Sequence, residues 1–474
     1  MNYGLYIHKV LKLNSKAAIA IVAVIAVAIV AIAAALILTS NNEGDNKPSG
    51  SDYSDFNVQT TRNLVFGNAN NDNYLDQKDV DFIQSIVDKK TVWDNVKFPL
   101  ADTDANGIVN SADVTLLKKF LNGEKATMHY VNWYKDKASI SYPVKGPVSV
   151  DYTTAYDMFV ILGAFDQVVG TRDADNLIAN YNETLYPKAR SQIHSIRDDA
   201  GNMDPEKMFA LGTKLVVGDP YDATDEVARA MKAMDPEVNV LQLPVNRVMN
   251  GIDYTHTIIT LGVMMNRQTN TSKYIDFVES IESQIKSSIT DSGASTKTML
   301  LCYNPSSPNA ISLDCLSTFV MQYTDVTNAL RLPFEMPVER VAREKGGMYT
   351  NLEMAKIMEI NPEVIIIDTY NLAGANISAS EYESIVREKV EYFKETNAYK
   401  NNKIVTIAFE VIGGTAGISC LPLIGSFVWG EKVFNKDQAW DYINNYYRNF
   451  TNMGKDIDMT KVRGYAPELW GATV

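Results

Sequence analysis

The stretch NTSKYIDFVESIESQIKSSITD, residues 270–291, predicts an amphipathic helix near the middle of the 474-residue chain. Its apolar residues recur at steps of three and four, the period of one helix face: Tyr274, Phe277, Val278, Ile281, Ile285 and Ile289. Asn270 or Thr271 is the expected N-cap. At about 1.5 Å per residue, the helix is about 33 Å long. A helix of this length indicates a stiff connection between two parts of the molecule.

Short apolar runs flank this helix, three on each side. They are VSVDY (148–152), KLVVGD (214–219), VNVLQLP (238–244), TMLLCYNP (298–305), PEVIIIDTY (362–370) and KIVTIAFE (403–410). Several are continuous Val, Ile and Leu stretches, as strands buried on both faces of a parallel sheet require. Helical patterns lie between the runs, which is typical of an α/β fold. We therefore expect two Rossmann-like α/β lobes joined by the long helix.

The overall composition limits the function. Hydrophobic residues make up 46% of the chain, enough for several cores, and the net charge is -13 with a pI near 4.9. An acidic surface disfavours nucleic acid, whose phosphates bind Lys and Arg. Cys302, Cys315 and Cys420 form no C-x-x-C pair, which argues against zinc-ribbon and thioredoxin-like sites.

An apolar segment, residues 17–38, contains no charge and no strong helix breaker. It is long enough to span the roughly 30 Å hydrocarbon core of a bilayer. Lys9, Lys12 and Lys16 precede it, so the positive-inside rule leaves residues 1–16 in the cytoplasm. A cleaved signal peptide is the alternative, although its apolar core is shorter, about 7–15 residues. We expect an uncleaved single-pass anchor in the cell membrane, with the bulk of the chain outside.

Residues 39–58 are rich in Ser, Asn, Gly and Asp and predict a flexible tether. Two windows of twelve residues follow, NANNDNYLDQKD (68–79) and DTDANGIVNSAD (102–113). Both place oxygen-bearing side chains at positions one, three, five, nine and twelve, the pattern of a calcium-binding loop. The predicted ligands are Asn68, Asn70, Asp72, the Tyr74 carbonyl, Asp76 and Asp79 in the first loop, and Asp102, Asp104, Asn106, the Ile108 carbonyl, Asn110 and Asp113 in the second. We expect two structural Ca²⁺ ions.

The two loops differ in ways that affect affinity. Gly107 makes the sharp turn at position six of the second loop, whereas Asn73 takes that position in the first. Asn tolerates the left-handed conformation better than most residues, so we expect Asn73 to adopt that conformation. Neutral Asn68 also removes a charge from the first loop. The first loop is therefore expected to bind Ca²⁺ more weakly.

Each loop is followed by a short amphipathic helical pattern. The apolar residues are Val80, Ile83 and Val87 in one helix, and Val114, Leu117, Phe120 and Leu121 in the other. Two calcium loops 34 residues apart, each leading into such a helix and ending in Asp, resemble the type I dockerin. The resemblance covers Val65 to about Gly123 and gives a module at 59–125. It implies a cohesin-type partner on another protein; a spacer between membrane and receptor is the alternative.

The remainder, residues 126–474, forms the last predicted domain. From about Ala138 to Phe450 it resembles the class III solute-binding proteins of ABC importers, which capture ferric siderophores, haem and cobalamin. The matching segments are LGAFDQVVG (162–170), DPEKMFALGTKLVVGDP (204–220), NLEMAKIMEINPEVIIIDTYN (351–371) and YKNNKIVTIAFE (399–410). They occur in the family's order, around the long inter-lobe helix at about 270–291. The resemblance implies a two-lobed periplasmic-binding-protein-like domain with a metal chelate in its cleft.

Ligands of open α/β sheets bind beyond the carboxyl ends of the strands. The residues in those positions are Tyr152, Thr153, Thr171, Arg172, Asp219 and Tyr221 in the first lobe, and Tyr303, Asn304, Tyr370, Asn371, Phe409 and Glu410 in the second. A Tyr-rich rim with one Arg suits a large, flat ligand that carries carboxylates or a metal chelate. His194 is a further candidate for contact with a metal centre, and a structural role is its alternative.

In the class III family, one Glu on each lobe pairs with arginines of the permease. The resemblance places these contacts at Glu206 in the first lobe and Glu353 in the second. Glu353 stands two residues further from its NPE segment than the family pattern has it, and Glu359 is a surface alternative.

The sequence contains no G-x-S-x-G, P-loop, H-E-x-x-H or dinucleotide-binding fingerprint, so we expect no enzyme. The main rival prediction is a dockerin-bearing surface protein that acts in polysaccharide degradation, which needs two facing carboxylates. Five Trp are few for a sugar-stacking cleft. A surface scaffold without transport work is a third possibility.

Overall fold

The computed structural model describes residues 53, 56–58, 60–151, 155–172, 193–199, 202–218, 222–245, 252–294, 297–302, 310–312, 326–328, 349–351, 354–369, 372, 377–412 and 414–473. The described residues all belong to one compact unit, Asp52–Val474. The predicted anchor at 17–38 lies outside them, as does most of the tether. No helix among the described residues is long and apolar enough to cross a membrane.

The two loops with calcium-ligand spacing lead directly into helices, as the sequence predicts. Helix α1 (Gln77–Val87) follows the first loop and α2 (Ser111–Leu121) follows the second. Each begins with a capping box, because the side chains at loop positions nine and twelve bond reciprocally to the backbone. A hairpin of two antiparallel strands then follows, β1 (Ala126–Val131) and β2 (Lys137–Tyr142).

The first lobe is built on a parallel sheet of five strands in the order β5-β4-β3-β6-β7. These strands are β3 (Val148–Val150), β4 (Val168–Thr171), β5 (His194–Ser195), β6 (Leu215–Val217) and β7 (Asn239–Leu241). The helices of this lobe are α3 (Ala155–Ile161), α4 (Pro205–Ala210), α5 (Asp222–Met234) and α6 (Tyr254–Met264). Neighbouring side chains of β6 face opposite cores: Leu215 and Val217 join the main core, and Val216 joins a smaller one beneath α4 and α5. Burial on both faces explains the continuous apolar run in the sequence.

The second lobe is a mixed sheet in the order β11-β9-β8-β12-β13-β14, with β10 also paired to β8. Its strands are β8 (Lys297–Cys302), β9 (Ala310–Ser312), β10 (Val326–Asn328), β11 (Tyr349–Asn351), β12 (Val364–Asp368), β13 (Ile404–Ile407) and β14 (Glu468–Trp470). Pairing of β8, β12 and β13 is parallel, like that of β3, β6 and β7 in the first lobe. All six apolar runs of the sequence are therefore strands, and they form equivalent triplets in the two sheets.

The long helix between the lobes, α7 (Gln268–Ser292), has 25 residues. It begins earlier than predicted: Arg267 is the N-cap, without a side-chain cap, so the expected caps Asn270 and Thr271 are wrong. Asn270 instead donates its side-chain amide to the Leu162 carbonyl at 3.0 Å. Gly293, at φ 62°, ends the helix in the left-handed conformation.

The remaining helices belong to the second lobe. They are α8 (Met354–Ile360), α9 (Ala379–Glu391), α10 (Asn397–Lys400), α11 (Phe409–Ile412), α12 (Gly417–Trp429) and α13 (Lys436–Phe450). Helices α12 and α13 pack with α7 and the first lobe in the main core, whereas α9 covers the other face of the second sheet.

The calcium-loop segment, residues 61–123, shares that main core. Val80, Leu117 and Phe120 belong to the same buried cluster as the first sheet and α7. Backbone bonds add to this contact, because Leu64 and Phe66 pair with β1 around a bridge between Val65 and Tyr130. The described residues of this segment are thus packed into the same body as the first sheet and α7.

Candidate ligand cleft and calcium-binding loops

An ion pair joins the carboxyl ends of two adjacent strands of the first lobe, β3 and β4. Asp151 directly follows β3 and Arg172 directly follows β4, and Arg172 Nε lies 2.9 Å from Asp151 Oδ1. The Asp151 side chain is 5% exposed and that of Arg172 is 21% exposed. Asp151 therefore compensates the Arg172 charge, and a ligand carboxylate at this site has to share the guanidinium with it.

Two other predicted ligand residues lie in this sheet. Thr171 is fully buried, so its side chain faces the protein interior rather than an open cleft. His194 is exposed on β5, the edge strand, where it pairs with Gly170 of β4. The structure thus places Arg172 at the end of β4 and His194 on the adjacent edge strand β5, while the Thr171 side chain is buried.

Most other predicted ligand positions lie outside the described residues: Tyr152, Thr153, Asp219, Tyr221, Tyr303, Asn304, Tyr370 and Asn371. Phe409 and Glu410 form the first turn of the short helix α11, directly after β13. These positions remain predictions.

The second lobe contains a buried charge that sequence reasoning missed. Asp368 is the last residue of β12 and is 4% exposed, and Lys389 of α9 is 7% exposed. Burial lowers the pKa of Lys389, while the charge of Asp368 acts in the opposite direction. Asp151 and Asp368 share a sequence signal, since each is an acidic residue at the end of a buried apolar strand. Asp151 stands one residue before Tyr152, and Asp368 stands two residues before Tyr370; both Tyr were predicted from the sequence to contact the ligand.

A buried carboxyl group also lies where the two lobes meet. Asp157, in the first turn of α3, accepts a hydrogen bond from the Tyr446 hydroxyl of α13 at 3.2 Å. The Tyr446 hydroxyl is also 2.6 Å from Thr415 Oγ1, and Tyr274 of α7 donates to the Thr415 carbonyl at 3.0 Å. Asp157 keeps some exposed surface, but its Oδ1 is inaccessible and has no partner among the described residues. Burial raises the pKa of Asp157 to about 7.

The Asp253 and His256 side chains resemble a catalytic dyad but occupy a structural position. Their Oδ1 and Nδ1 atoms are 2.8 Å apart, and His256 Nε2 is 2.9 Å from the Val58 carbonyl. Both residues are under 5% exposed and form the capping box of α6. Because a carbonyl only accepts hydrogen bonds, Nε2 carries a proton and is not free for chemistry.

The second calcium loop brings its carboxylates together. One oxygen each from Asp102, Asp104 and Asp113 lies within 4.8 Å of the others. Asp102 and Asp113 are nearly fully buried, and burial raises the pKa of both carboxyl groups. Gly107 has φ 92°, the conformation predicted for position six. Clustered, desolvated carboxylates beside a glycine turn fit a calcium ion, which would neutralise them.

The first calcium loop is organised differently. Asp79 is buried, and burial raises its pKa to about 7. Asn68 is fully buried, and its Oδ1 has no hydrogen-bond partner among the described residues, which fits a metal ligand. Its Nδ2 donates to the Asp72 and Asn63 carbonyls. The residues fit a cation, and three of the predicted ligand positions are Asp, as in the second loop.

The predicted left-handed turn at Asn73 is wrong. In this loop the residue with positive φ is Asn71, at 63°, and its equivalent in the second loop, Ala105, has φ 54°. Asn73 keeps a negative φ, which avoids the cost of the left-handed conformation for a residue with a Cβ. Its side chain instead contacts α7. Position four, rather than position six, is thus the left-handed turn common to both loops.

The predicted permease contacts can be compared through equivalent helices. Helix α4 leads into β6 and α8 leads into β12, the matching strands of the two sheets. Each helix ends before a left-handed residue, Gly212 at φ 72° and Asn361 at φ 47°. Six residues before these stand Glu206, which is exposed, and Ala355. The second lobe therefore has no carboxylate at the position equivalent to Glu206, and Glu353 lies outside the described residues.

The same alignment reveals a shared apolar position. Three residues before the left-handed residue stand Phe209 and Met358, which are 48% and 38% exposed. One residue earlier, Met208 and Ile357 are fully buried in both helices. The two helices therefore match in burial as well as in sequence spacing, and each exposes one large apolar side chain.

Comparisons with known proteins agree with this architecture. A family model described as periplasmic binding protein matches residues 148–411, which include strands of both lobes and the whole of α7. No curated protein matches the chain.

Solved structures share the fold at low sequence identity. The Helicobacter pylori CeuE/Ni-His complex is 15% identical, with a TM-score of 0.51 over 71% of this chain and 98% of that chain. The TroA-like periplasmic binding protein FepB from Veillonella parvula is 10% identical, with a TM-score of 0.53 over 69% and 97%. An ABC transporter solute binding protein from Sulfurospirillum deleyianum is 12% identical, with a TM-score of 0.53 over 71% and 98%.

The family model covers more than half of the chain, and the similar structures share its two-lobed fold. Members of this family bind a small solute, without chemistry of their own, and deliver it to an ABC permease. The chain belongs to the periplasmic binding protein family.

Proposed function

We propose that this chain is a membrane-anchored extracytoplasmic receptor that captures an iron chelate, haem or corrinoid and delivers it to an ABC permease. The family match across both lobes and α7 carries the solute-binding part of the proposal. A metal-chelate ligand is supported by the similar fold of a protein solved with Ni-His, and by the exposed His194 at the edge of the first sheet. The anchor at 17–38 is proposed from its apolar length.

The residues at the strand ends suggest how a chelate is held. The Asp151–Arg172 pair can share one guanidinium N–H group with a ligand carboxylate while Asp151 keeps the side chain oriented. Tyr152, Tyr221, Tyr303 and Tyr370 are proposed to supply flat contact surface on both sides of the ligand. Helix α7 and the core that it shares with α12 and α13 limit how far the lobes rotate. Capture is thus proposed to need small movements of the rim.

Delivery to the permease is proposed to use unequal contacts on the two lobes. Glu206 offers a carboxylate on the first lobe, and Ala355 stands at the equivalent position of the second. Phe209 and Met358 expose apolar side chains on both. Glu353 is retained as a second-lobe contact from the family resemblance.

We further propose that the calcium-loop segment binds two structural Ca²⁺ ions and forms a dockerin-like module. When bound, the ions supply positive charge that neutralises the buried carboxylates; Asp102, Asp104 and Asp113 hold one ion, and Asp72, Asp76 and Asp79 contribute to the other. A cohesin-type module is the proposed external partner of this segment, and a spacer role is the alternative.

A thermal-unfolding screen of the full chain tests the proposal. Haem, cyanocobalamin and ferrioxamine B serve as probes, each titrated from 1 to 100 µM. A true ligand stabilises the native state in proportion to the logarithm of its concentration, by about 2.7 kcal/mol at a hundredfold excess over Kd. Arg172→Ala should reduce this gain, whereas Arg387→Ala, on the exposed face of α9, should not. Flat responses to every chelate would oppose the metal-chelate part of the proposal.

A further inference from the structure

The first calcium loop is attached to the linking helix α7 through its backbone. Gln268, the first residue of α7, accepts a hydrogen bond from the Leu75 N–H at 2.8 Å through Oε1. Its Nε2 donates to the Leu75 carbonyl at 3.1 Å. The Gln268 side-chain amide therefore pairs with both the backbone N–H and the backbone carbonyl of Leu75, as a residue of a neighbouring β-strand would. Leu75 directly follows Tyr74, whose carbonyl is a proposed calcium ligand.

Further contacts continue along the same helix. Asn73 Nδ2 donates to Glu279 Oε1 at 2.6 Å, and Arg62, just before the loop, forms an ion pair with Glu282 at 2.5 Å. The Arg62 and Glu282 side chains are only 18% and 21% exposed, so water screens this pair less than a surface pair.

The contacting residues of α7 form one stripe. At about 100° per residue, Glu279 lies about 20° and Glu282 about 40° from the direction of Gln268 around the helix axis. The stripe extends over 14 residue steps, or about 21 Å of helix. The contacts therefore hold the middle of the loop, at Asn73 and Leu75, and the segment before it, at Arg62, against α7.

The second loop has no such attachment among the described residues. Gly107 and Val109 stand where Asn73 and Leu75 stand in the first loop, and Gly107 has no side chain to donate. Ile108, the equivalent of Tyr74, is 64% exposed. Among the described residues, the duplicated loops thus differ in one respect that the calcium-ligand pattern does not contain: the first loop, unlike the second, forms hydrogen bonds with the helix that joins the lobes.

We infer that the first calcium loop is a docking surface whose partner is the linking helix of its own chain, so that Ca²⁺ binding there and the order of α7 are thermodynamically coupled. The inference rests on the proposed calcium sites. Gln268 and Glu279 act as positioning residues: they hold Leu75 and Asn73, on either side of the Tyr74 carbonyl, and do not touch the ion. Linkage is reciprocal. If the contacts with α7 raise the affinity of the loop for Ca²⁺, bound Ca²⁺ stabilises the ordered form of α7 by the same free energy.

Calcium titration of the full chain tests the coupling, with Ca²⁺ as the only probe. Asp104→Asn and Asp113→Asn together disable the second loop, so that calorimetry reports the first loop alone. In that background Gln268→Ala should weaken Ca²⁺ binding about five- to tenfold. Gln284→Ala is the matched control: the same substitution on the opposite face of α7, where the amide donates to Ser288. It should change the affinity less than about twofold.

Hydrogen exchange provides the reciprocal measurement without disabling either loop. In the otherwise unchanged chain, Ca²⁺ should slow amide exchange in Ile275–Ile285, and Gln268→Ala should abolish most of that protection. If Gln268→Ala does not fold, Asn73→Ala removes the Glu279 contact from the loop side and should give the same loss.

The outcomes separate the two proposals. If the full chain binds no Ca²⁺, the calcium sites are wrong and the coupling falls with them. If the first loop binds Ca²⁺ equally well with and without the Gln268→Ala substitution, and α7 exchange is unchanged by the ion, the coupling is overturned while the calcium sites stand.

Discussion

The calcium loops and the ligand cleft differ in how their residues are distributed along the chain. Each loop places its proposed ligands within twelve residues, and Asp102, Asp104 and Asp113 converge within one loop and the first turn of its helix. The proposed cleft takes its residues from the ends of strands as far apart as β3 and β13. A local site is therefore defined by backbone turns and helix caps, whereas a distributed site is defined only by the fold that assembles it.

The two regions are nevertheless joined physically. The calcium-loop segment shares the main core with the first lobe, and its first loop contacts α7. What resembles an independent module in sequence is built into the receptor body.

The largest expected effect comes from the shared core. Phe120 is 1% exposed and packs edge-on against Tyr142 of β2, with ring centroids 5.1 Å apart. Phe120→Ala should reduce the free energy of unfolding by about 3–5 kcal/mol. Because the core is continuous, calorimetry should show a single transition that moves to lower temperature. Ile108→Ala, at an exposed position, should stay within about 0.5 kcal/mol. A separate early transition, with the main one unchanged, would mean that the segment folds independently.

The lobe junction should give the receptor a pH-dependent stability. The pKa of Asp157 is raised to about 7 by burial, so the native state holds a proton that the unfolded state has lost above pH 4. Stability should therefore fall as pH rises from about 4 to about 7 and level off above that. Asp157→Asn should flatten this slope and stabilise the protein at pH 8 by about 1–3 kcal/mol. A pKa that is about three units higher in the native than in the unfolded state corresponds to about 4 kcal/mol of stability, but the partial exposure of Asp157 reduces this value.

Chemical denaturation at pH 4, 6 and 8 measures this effect. Saturating Ca²⁺ is kept throughout, so that protonation of Asp79 does not add to the slope. An Asp157→Asn variant with the same pH dependence as the unchanged chain would rule out Asp157 as its source.

The smallest expected effect is the difference between the loops. Asp104→Asn removes one of three clustered carboxylates and should weaken Ca²⁺ binding at the second loop by about tenfold, because affinity follows ligand charge. Asp72→Asn likewise removes one carboxylate from the first loop, at position five rather than position three, and binding there is expected to be weaker from the outset. Calorimetric titration should resolve one tighter and one weaker site in the unchanged chain. Two equal sites would contradict the asymmetry.

Much of the fold was predictable because burial leaves a periodic signal. Continuous apolar runs such as PEVIIIDTY predicted every strand of the central triplets, and the spacing of Tyr274 to Ile289 predicted α7. The helices after the calcium loops followed in the same way from Val80, Ile83, Val114 and Leu117. These features depend only on neighbours along the chain.

The side-chain partnerships were not predictable in the same way. The Asp151–Arg172 pair depends on β3 and β4 lying side by side, and the Asp157–Tyr446 bond joins residues from different lobes. Asn73 was expected in a left-handed turn because it takes position six of the loop. Its contact with Glu279, 206 residues away in the chain, leaves no local signal. Such contacts follow from tertiary structure, which periodicity does not specify.

The central claim is that the receptor binds an intact chelate without altering it. The most direct measurement incubates the full chain with the chelate that gives the largest thermal stabilisation, removes free ligand by gel filtration and identifies the bound species by mass spectrometry. The account predicts one unmodified chelate for each chain, with a lower yield for Arg172→Ala. A chelate recovered as a different compound, or no retained chelate at saturating concentration, would contradict it.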